Sequence, residues 1–138
     1  MFSKIMVPVD SRHEEQLTKS LDVVAKLAKI YSARVVLVGV SLAAPTEISR
    51  NPEEYKAKLE LFTQEQSDLH DIDAESHPIF SVDPTADLNK KLLDAIDEID
   101  ADLILMATHV PNVSDYIFAN HGNYISDHAD ISVFLIRG

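Results

Sequence analysis

Short apolar runs recur along the chain and predict β-strands that are buried on both faces. They lie at residues 5–9, at 35–38 within a strand expected over 33–40, at 103–107 and at 133–136. Continuous apolarity over so few residues is typical of parallel strands that helices cover on both faces. A weaker run at 78–82 begins with a proline, which has no backbone N–H to donate, so it predicts a strand at one margin of the sheet.

The segment after the first run predicts an amphipathic helix. Ser11 and Glu14 have the spacing of a capping box, in which two side chains satisfy free backbone amides at a helix start. Apolar residues then recur every three or four positions and form one stripe that can pack on a sheet. The stripe consists of Leu17, Leu21, Val24, Leu27 and Tyr31.

The same spacing predicts three further helices between the remaining strands. Pro52 opens the second helix, whose apolar positions are Tyr55, Leu59, Phe62 and Leu69. Pro84 fits the first turn of the third, whose stripe is Leu88, Leu92, Ile96 and Ile99. The fourth is expected over about residues 114–129.

Regular alternation of strand and helix predicts an α/β fold, with a parallel sheet between two layers of helices. In such open sheets, ligands bind beyond the carboxyl ends of the strands, at the point where the strand order reverses. Asp10 and the loop after Met106 are therefore candidate walls of a ligand site.

Length and charge narrow the classes of partner. A chain of 138 residues fits one domain, and its net charge of -11 repels nucleic acid and anionic membranes. Two interpretations of the acidic surplus stay open: a solvated surface and an acidic docking surface. No apolar run approaches the roughly 20 residues that cross a bilayer. Because the first residues also lack the apolar stretch of a signal peptide, we expect a cytoplasmic protein without membrane insertion.

The start of the chain and the segment at 101–106 resemble the universal stress protein family. Residues 4–10 read Lys-Ile-Met-Val-Pro-Val-Asp, and the similarity continues to the closing strand. The resemblance implies a five-stranded parallel sheet in the order 3-2-1-4-5, of the adenine nucleotide alpha hydrolase-like kind. It also implies an adenine nucleotide as ligand, either ATP or AMP, and Mg²⁺ only as the companion of ATP.

Family members that bind nucleotides carry a glycine-rich phosphate loop after the fourth strand, in the pattern G-x-x-G followed by G-S or G-T. In this chain, the matching positions hold Ala107, Val110, Ala119 and Asn120, and the resemblance places His109 beside the nucleotide. Glycine lets backbone amides approach phosphate oxygens closely, whereas a β-branched valine disfavours positive φ. The substitutions predict weakened recognition of a triphosphate.

The adenosine contacts implied by the resemblance are better preserved. They fall on Pro8, Val9, Asp10, Val40 and Met106. An alternative stays open for the apolar members, which could simply fill the core. Asp10 could bind ribose hydroxyls, cap the following helix or satisfy loop amides.

Motifs for catalysis and for metal binding are missing from the sequence. The chain has no cysteine, no G-x-S-x-G, no H-E-x-x-H and no glycine spacing that fits a P-loop, although His121 and His128 lie seven residues apart. We therefore expect a non-catalytic stress-response module with an altered adenine-nucleotide site. The alternatives are a structural homodimer that has lost nucleotide binding and, with least support, a weak nucleotide hydrolase.

The last strand predicts the subunit interface. Residues 133–136 are apolar at consecutive positions and include Phe134, and the family strand order places them at an edge of the sheet. An uncovered apolar edge favours association, and pairing with a two-fold copy would satisfy its free backbone groups. We expect a homodimer joined through this strand.

Overall fold

The structure is a computed structural model in which β-strands and α-helices alternate. It describes residues 1–10, 13, 17–42, 52–81, 84–109, 118 and 121–137. In chain order, the elements are β1 (Lys4–Asp10), α1 (Thr18–Tyr31), β2 (Arg34–Leu42), α2 (Pro52–His70), β3 (Ala74–Ser81), α3 (Pro84–Ile99), β4 (Leu103–His109), α4 (Gly122–His128) and β5 (Ser132–Arg137).

All strand pairs are parallel, and the sheet has the order β3-β2-β1-β4-β5, which confirms the predicted topology. β1 pairs with β2 along its whole length, from Lys4↔Arg34 to Asp10↔Val40. The three inner strands are apolar and buried because helices cover the sheet. Among the described helices, none is long and apolar enough to cross a membrane.

The third helix matches its predicted stripe, since Leu88, Leu92, Ile96 and Ile99 are all buried. α1 matches in part. Its buried positions include Leu21 and Val24 but also Ala25 and Ala28, which the sequence prediction left out. Small residues let this helix lie close to the sheet, whereas Leu27 and Tyr31 are only partly buried.

Two predicted helix starts fall outside the described residues. These are the capping box at Ser11 and Glu14 and the beginning of the fourth helix near Ser114. The described part of α1 begins at Thr18, after Leu17, which makes no side-chain cap hydrogen bond.

The second helix is buried more narrowly than its apolar pattern predicts. Tyr55, Leu59 and Thr63 are its buried residues, whereas Leu69 is 73% exposed. The Thr63 hydroxyl donates to the Leu59 carbonyl at 2.7 Å, so this polar side chain is buried with its hydrogen bond made. Leu69 therefore has the helical spacing of the apolar positions but lies outside the buried face of α2.

The third strand lies at an edge of the sheet, as predicted, but it begins at Ala74 and contains Pro78 within it. The Val35 N–H donates to the Asp73 carbonyl at 2.8 Å, so the odd-numbered residues of β3 point their backbone groups at β2. Pro78 therefore faces the open edge, where its missing N–H costs no ladder bond. Pairing with β2 extends the strand over residues of low strand propensity.

Close packing of α2 on β2 requires a glycine. A Cβ at Gly39 would collide with the Tyr55 hydroxyl and lie 2.9 Å from each methyl group of Leu59. Tyr55 and Leu59 are both 1% exposed, so neither can move aside into solvent.

We expect Gly39→Ala to destabilise the protein by about 1–3 kcal/mol, because overpacking displaces buried side chains. Urea unfolding followed by circular dichroism measures the change. Gly39→Ala should cost less stability in a Tyr55→Phe protein than in the wild type, because Tyr55→Phe removes the hydroxyl that the new Cβ would meet first. A neutral Gly39→Ala would contradict the proposed close packing.

Candidate functional site

The strand order reverses at β1, which lies between β2 and β4. β1 and β4 pair at Ile5↔Leu103 and Met6↔Ile104, and this pairing does not continue to the carboxyl ends of either strand. Such a topological switch point is where open α/β sheets form a ligand crevice. We call the space between the carboxyl halves of β1 and β4 the switch-point crevice.

The amino ends of the same two strands are held together. Asp102 accepts hydrogen bonds from the Ser3 N–H at 2.8 Å and the Lys4 N–H at 3.1 Å. Lys4 Nζ donates to the Ile99 carbonyl at 2.9 Å, and the Asp102 N–H donates to the Lys4 carbonyl at 3.1 Å. These bonds fix β1 against β4 at the edge opposite the crevice.

Six predicted site residues lie in the carboxyl halves of three adjacent strands. They are Pro8, Val9, Asp10, Val40, Met106 and Ala107, and Asp10 lies directly beside Val40 in the sheet. Val9, Val40, Met106 and Ala107 also belong to the hydrophobic core. Core packing therefore accounts for their burial, and any ligand contact would come from the atoms nearest the strand ends.

Asp10 is the polar residue of this group. It ends β1 and is 1% exposed, although a carboxylate is costly to bury unless other groups satisfy it. The side chain or backbone of Asp10 interacts with at least one other group of the chain. A carboxylate at this place can accept hydrogen bonds, either from neighbouring groups of the chain or from the hydroxyls of a ligand.

The other predicted residues belong to the loop side of the site. His109 is the last residue of β4. Val110, Ala119 and Asn120 lie outside the described residues, so their predicted contacts stay predictions. Phe118, between them in sequence, is fully buried.

A contact between two helices was missed by the sequence analysis. Nδ1 of His121, at the start of α4, lies 2.6 Å from Oδ1 of Asn89 on α3. Burial lowers the pKa of His121 below its ordinary value. Asn89 directly follows Leu88 of the buried stripe. A polar residue so close to a buried face indicates a polar contact with a neighbouring element, and this was the signal available in the sequence.

His121, which directly precedes α4, and His128, which ends it, make separate contacts. The ring of His128 stacks on Tyr124 at 3.9 Å, and its Nδ1 lies 2.8 Å from the Tyr124 carbonyl oxygen. His121 instead contacts Asn89. Within the part of the chain that the structure describes, no group of three histidine, aspartate or glutamate side chains could hold a metal ion.

Gly122 was also missed as a packing residue. A Cβ there would lie 2.8 Å from Cγ2 of Thr108 and 3.2 Å from a methyl group of Leu135. Because the start of α4 lies so close to Thr108 and Leu135, a residue without a side chain at Gly122 allows the helix to pack on β4 and β5.

A separate groove of about 390 Å³ lies between β3 and α3. His77 and Glu98 belong to its lining, and Nε2 of His77 lies 3.3 Å from Oε2 of Glu98. None of the strand-end residues of the switch-point crevice lines this groove. The topology, rather than the volume of this groove, therefore identifies the candidate site.

Comparison with protein-family models matches residues 1–137 to the universal stress protein family. Solved structures share the fold. A universal stress protein family member from Burkholderia pseudomallei has a TM-score of 0.71 at 22% identity, over 99% of this chain and 96% of that one. The comparison with curated protein sequences found no matching relative.

Two further similar structures contain nucleotides. A universal stress protein in complex with cAMP has a TM-score of 0.68 at 15% identity, over 99% of this chain and 97% of that one. The universal stress protein from Archaeoglobus fulgidus in complex with dAMP has a TM-score of 0.65 at 19% identity, over 98% of both chains. At these identities, the similarities establish the fold.

Proposed function

Because this chain belongs to the universal stress protein family, we propose that it is a non-catalytic stress-response module that binds the adenosine part of an adenine nucleotide. The site is the switch-point crevice. The observation that carries the proposal is the position of Asp10, a buried carboxylate at the end of β1 beside the opening. Its acceptor oxygens suit the hydroxyls of a ribose.

The nucleotides of the two similar complexes support a monophosphate as ligand. Those proteins bind cAMP and dAMP, each of which has an adenine, a sugar and a single phosphate. On the phosphate side, Val110 replaces the family glycine, and Asn120 has no hydroxyl. AMP is therefore the favoured ligand.

Charge also disfavours the triphosphate. The net charge of -11 repels a polyanion more strongly than it repels a monophosphate. Mg²⁺ would enter this site only with ATP, whose phosphate charge it would offset. The same acidic charge disfavours nucleic acid as a partner. We also propose that the protein acts in the cytoplasm.

The second candidate function is that of a structural homodimer, which the two edges of the sheet favour. On β5, Phe134 is 39% exposed and Leu135 38% exposed. On β3, by contrast, Pro78 interrupts the row of edge donors, and His77 is paired with Glu98. The β5 edge is therefore the better surface for pairing with a second copy. A homodimer and a nucleotide site are compatible.

Asp10→Asn should weaken AMP binding by roughly 10- to 100-fold, because a hydrogen bond to a charged group contributes about 1.5–3 kcal/mol. Isothermal titration calorimetry measures the affinity, and the melting temperature checks folding. Asp68→Asn is the matched control, since Asp68 is an exposed carboxylate on α2. Unchanged AMP affinity in a folded Asp10→Asn protein would indicate that Asp10 accepts hydrogen bonds from loop amides instead of binding the ligand.

ATP should bind no more tightly than AMP, because the altered loop offers few contacts to the added phosphates. Calorimetric titrations with both nucleotides, with and without Mg²⁺, test this. Val110→Gly combined with Asn120→Ser should strengthen ATP binding selectively. Submicromolar ATP affinity in the unaltered protein would refute the weakened loop, and native mass spectrometry of protein purified without nucleotide would identify any retained ligand.

Phe134→Asp should shift the protein from dimer to monomer in sedimentation velocity experiments, because it places a charge in the apolar β5 edge. Its stability should also lose the dependence on protein concentration that a dimer shows. Leu61→Asp is the matched control, since Leu61 is 63% exposed on α2 and away from β5. A wild-type protein that stays monomeric at high micromolar concentration would exclude this interface.

A further inference from the structure

Two basic residues lie together at the carboxyl end of β5. Lys19 is the second residue of α1, and Arg137 is the last residue of β5. Both are exposed, but Nζ of Lys19 donates a hydrogen bond to the Arg137 carbonyl at 3.0 Å, across 118 positions of sequence. The fold therefore brings two positive charges to the end of one strand.

These two cations are not neutralised by a carboxylate in the described part of the chain. Four other basic residues there each form an ion pair with an aspartate or a glutamate: Lys26, Arg34, Lys58 and Lys90. No ion pair among the described residues includes Lys19 or Arg137. Although the chain has 23 acidic residues against 12 basic ones, these two cations are thus available to an anion from outside.

Strand pairing holds Arg137 close to the switch-point crevice. β4 forms one wall of the crevice, and its last residue, His109, pairs with Arg137. The register shifts between Ala107 and His109, so Thr108 is an extra residue opposite β5, as in a β-bulge. Because neighbouring strands lie about 4.8 Å apart, Arg137 is one strand spacing from the end of β4.

Arg137 also belongs to the face of the sheet on which α4 packs. A Cβ at Gly122, the first residue of α4, would lie 3.2 Å from a methyl group of Leu135. Alternate residues of a strand share one face, so Arg137 lies on the same face as Leu135. The family resemblance places the phosphate loop between β4 and α4, which is the same side of the sheet.

The two side chains have donors that suit a phosphate. The Lys19 ammonium has three N–H donors, and the Arg137 carbonyl accepts from one of them, so two are left on a group that is already positioned. The Arg137 guanidinium can donate two parallel hydrogen bonds to phosphate oxygens. Since Val110 replaces a family glycine, these side chains can supply the donors that the altered loop lacks.

We propose that Lys19 and Arg137 form a phosphate clamp, which binds the single phosphate of AMP at the opening of the switch-point crevice. The inference rests on the proposed function and identifies the residues that recognise the phosphate in place of a glycine-rich loop. The ribose of the nucleotide contacts Asp10, and its phosphate contacts the clamp. The clamp distinguishes AMP from adenosine, which has the same base and sugar but no charge.

Calorimetric titrations with adenosine and AMP at low ionic strength test the clamp. We expect the wild-type protein to bind AMP more tightly than adenosine. Lys19→Gln and Arg137→Gln should each weaken AMP binding by roughly 3- to 10-fold, because contacts to phosphate are charge-assisted but exposed cations are screened. Adenosine affinity should stay unchanged in both variants, and the double variant should bind the two ligands equally.

Lys29→Gln is the matched control for the change in net charge. Lys29 is exposed in the last turn of α1, at the opposite end from Lys19, and it belongs to no ion pair among the described residues. This variant should keep the AMP affinity of the wild type. Arg137→Lys, which keeps the charge but not the two parallel donors, should bind AMP with intermediate affinity. Melting temperature and sedimentation velocity check the folding and association of every variant.

Different results separate the clamp from the site itself. A wild-type protein that binds neither adenosine nor AMP would refute the proposed function and the clamp with it. Equal wild-type affinity for adenosine and AMP, or AMP affinity that persists in the double variant, would overturn the clamp alone. A parallel loss of both ligands in the clamp variants, or an equal loss of AMP binding in Lys29→Gln, would also overturn it.

Discussion

The parallel pairing of β1 with β2 on one side and β4 on the other is the interaction on which the remaining structure depends. The inner strands are apolar along nearly their whole length, so each face must be covered by helices. The crossover helices in turn bring every strand into the sheet in the same direction. The carboxyl ends of all five strands therefore lie at the same end of the sheet. Polar residues that end different strands come close together there as a result of the topology.

β1 and β4 are hydrogen-bonded at their amino ends but not at their carboxyl ends, and this difference creates the candidate site. Asp102 binds the backbone of Ser3 and Lys4 and closes the amino end, while pairing stops after Met6 and Ile104. A crevice at the carboxyl end then follows from topology alone. Asp10 is a buried carboxylate beside this crevice, and its position is the basis of the proposed contact with a sugar hydroxyl.

The two edge strands of the sheet, β3 and β5, present different surfaces. Pro78 faces the open side of β3, and Phe134 and Leu135 are partly exposed on β5, so the two edges differ in their capacity to pair. α4 lies over the more apolar edge, with Gly122 packed on Leu135. A short helix with two buried residues therefore lies beside the strand that is the candidate interface.

The apolar pattern by itself determined the strands, the helices and, with the family resemblance, the strand order. Leu88, Leu92 and Ile96 show why, since helical spacing of large apolar residues admits one buried face regardless of the partner. The same pattern placed Asp10 correctly at the end of β1, whereas β4 continues past Met106 to His109, so the loop expected directly after Met106 begins later. The role of the residues in the phosphate loop remains a prediction from sequence.

Only the tertiary structure decided where strand pairing and close packing override local preference. β3 extends back to Ala74 because β2 supplies a partner, and Leu69 is exposed although its spacing continues the apolar pattern of α2. The collision that requires Gly39 has no local signature, and Asn89 beside the buried stripe of α3 indicates a polar contact without identifying His121 as its partner. Both join residues that are distant in sequence, and a sequence period describes which face is buried but not which side chain it meets.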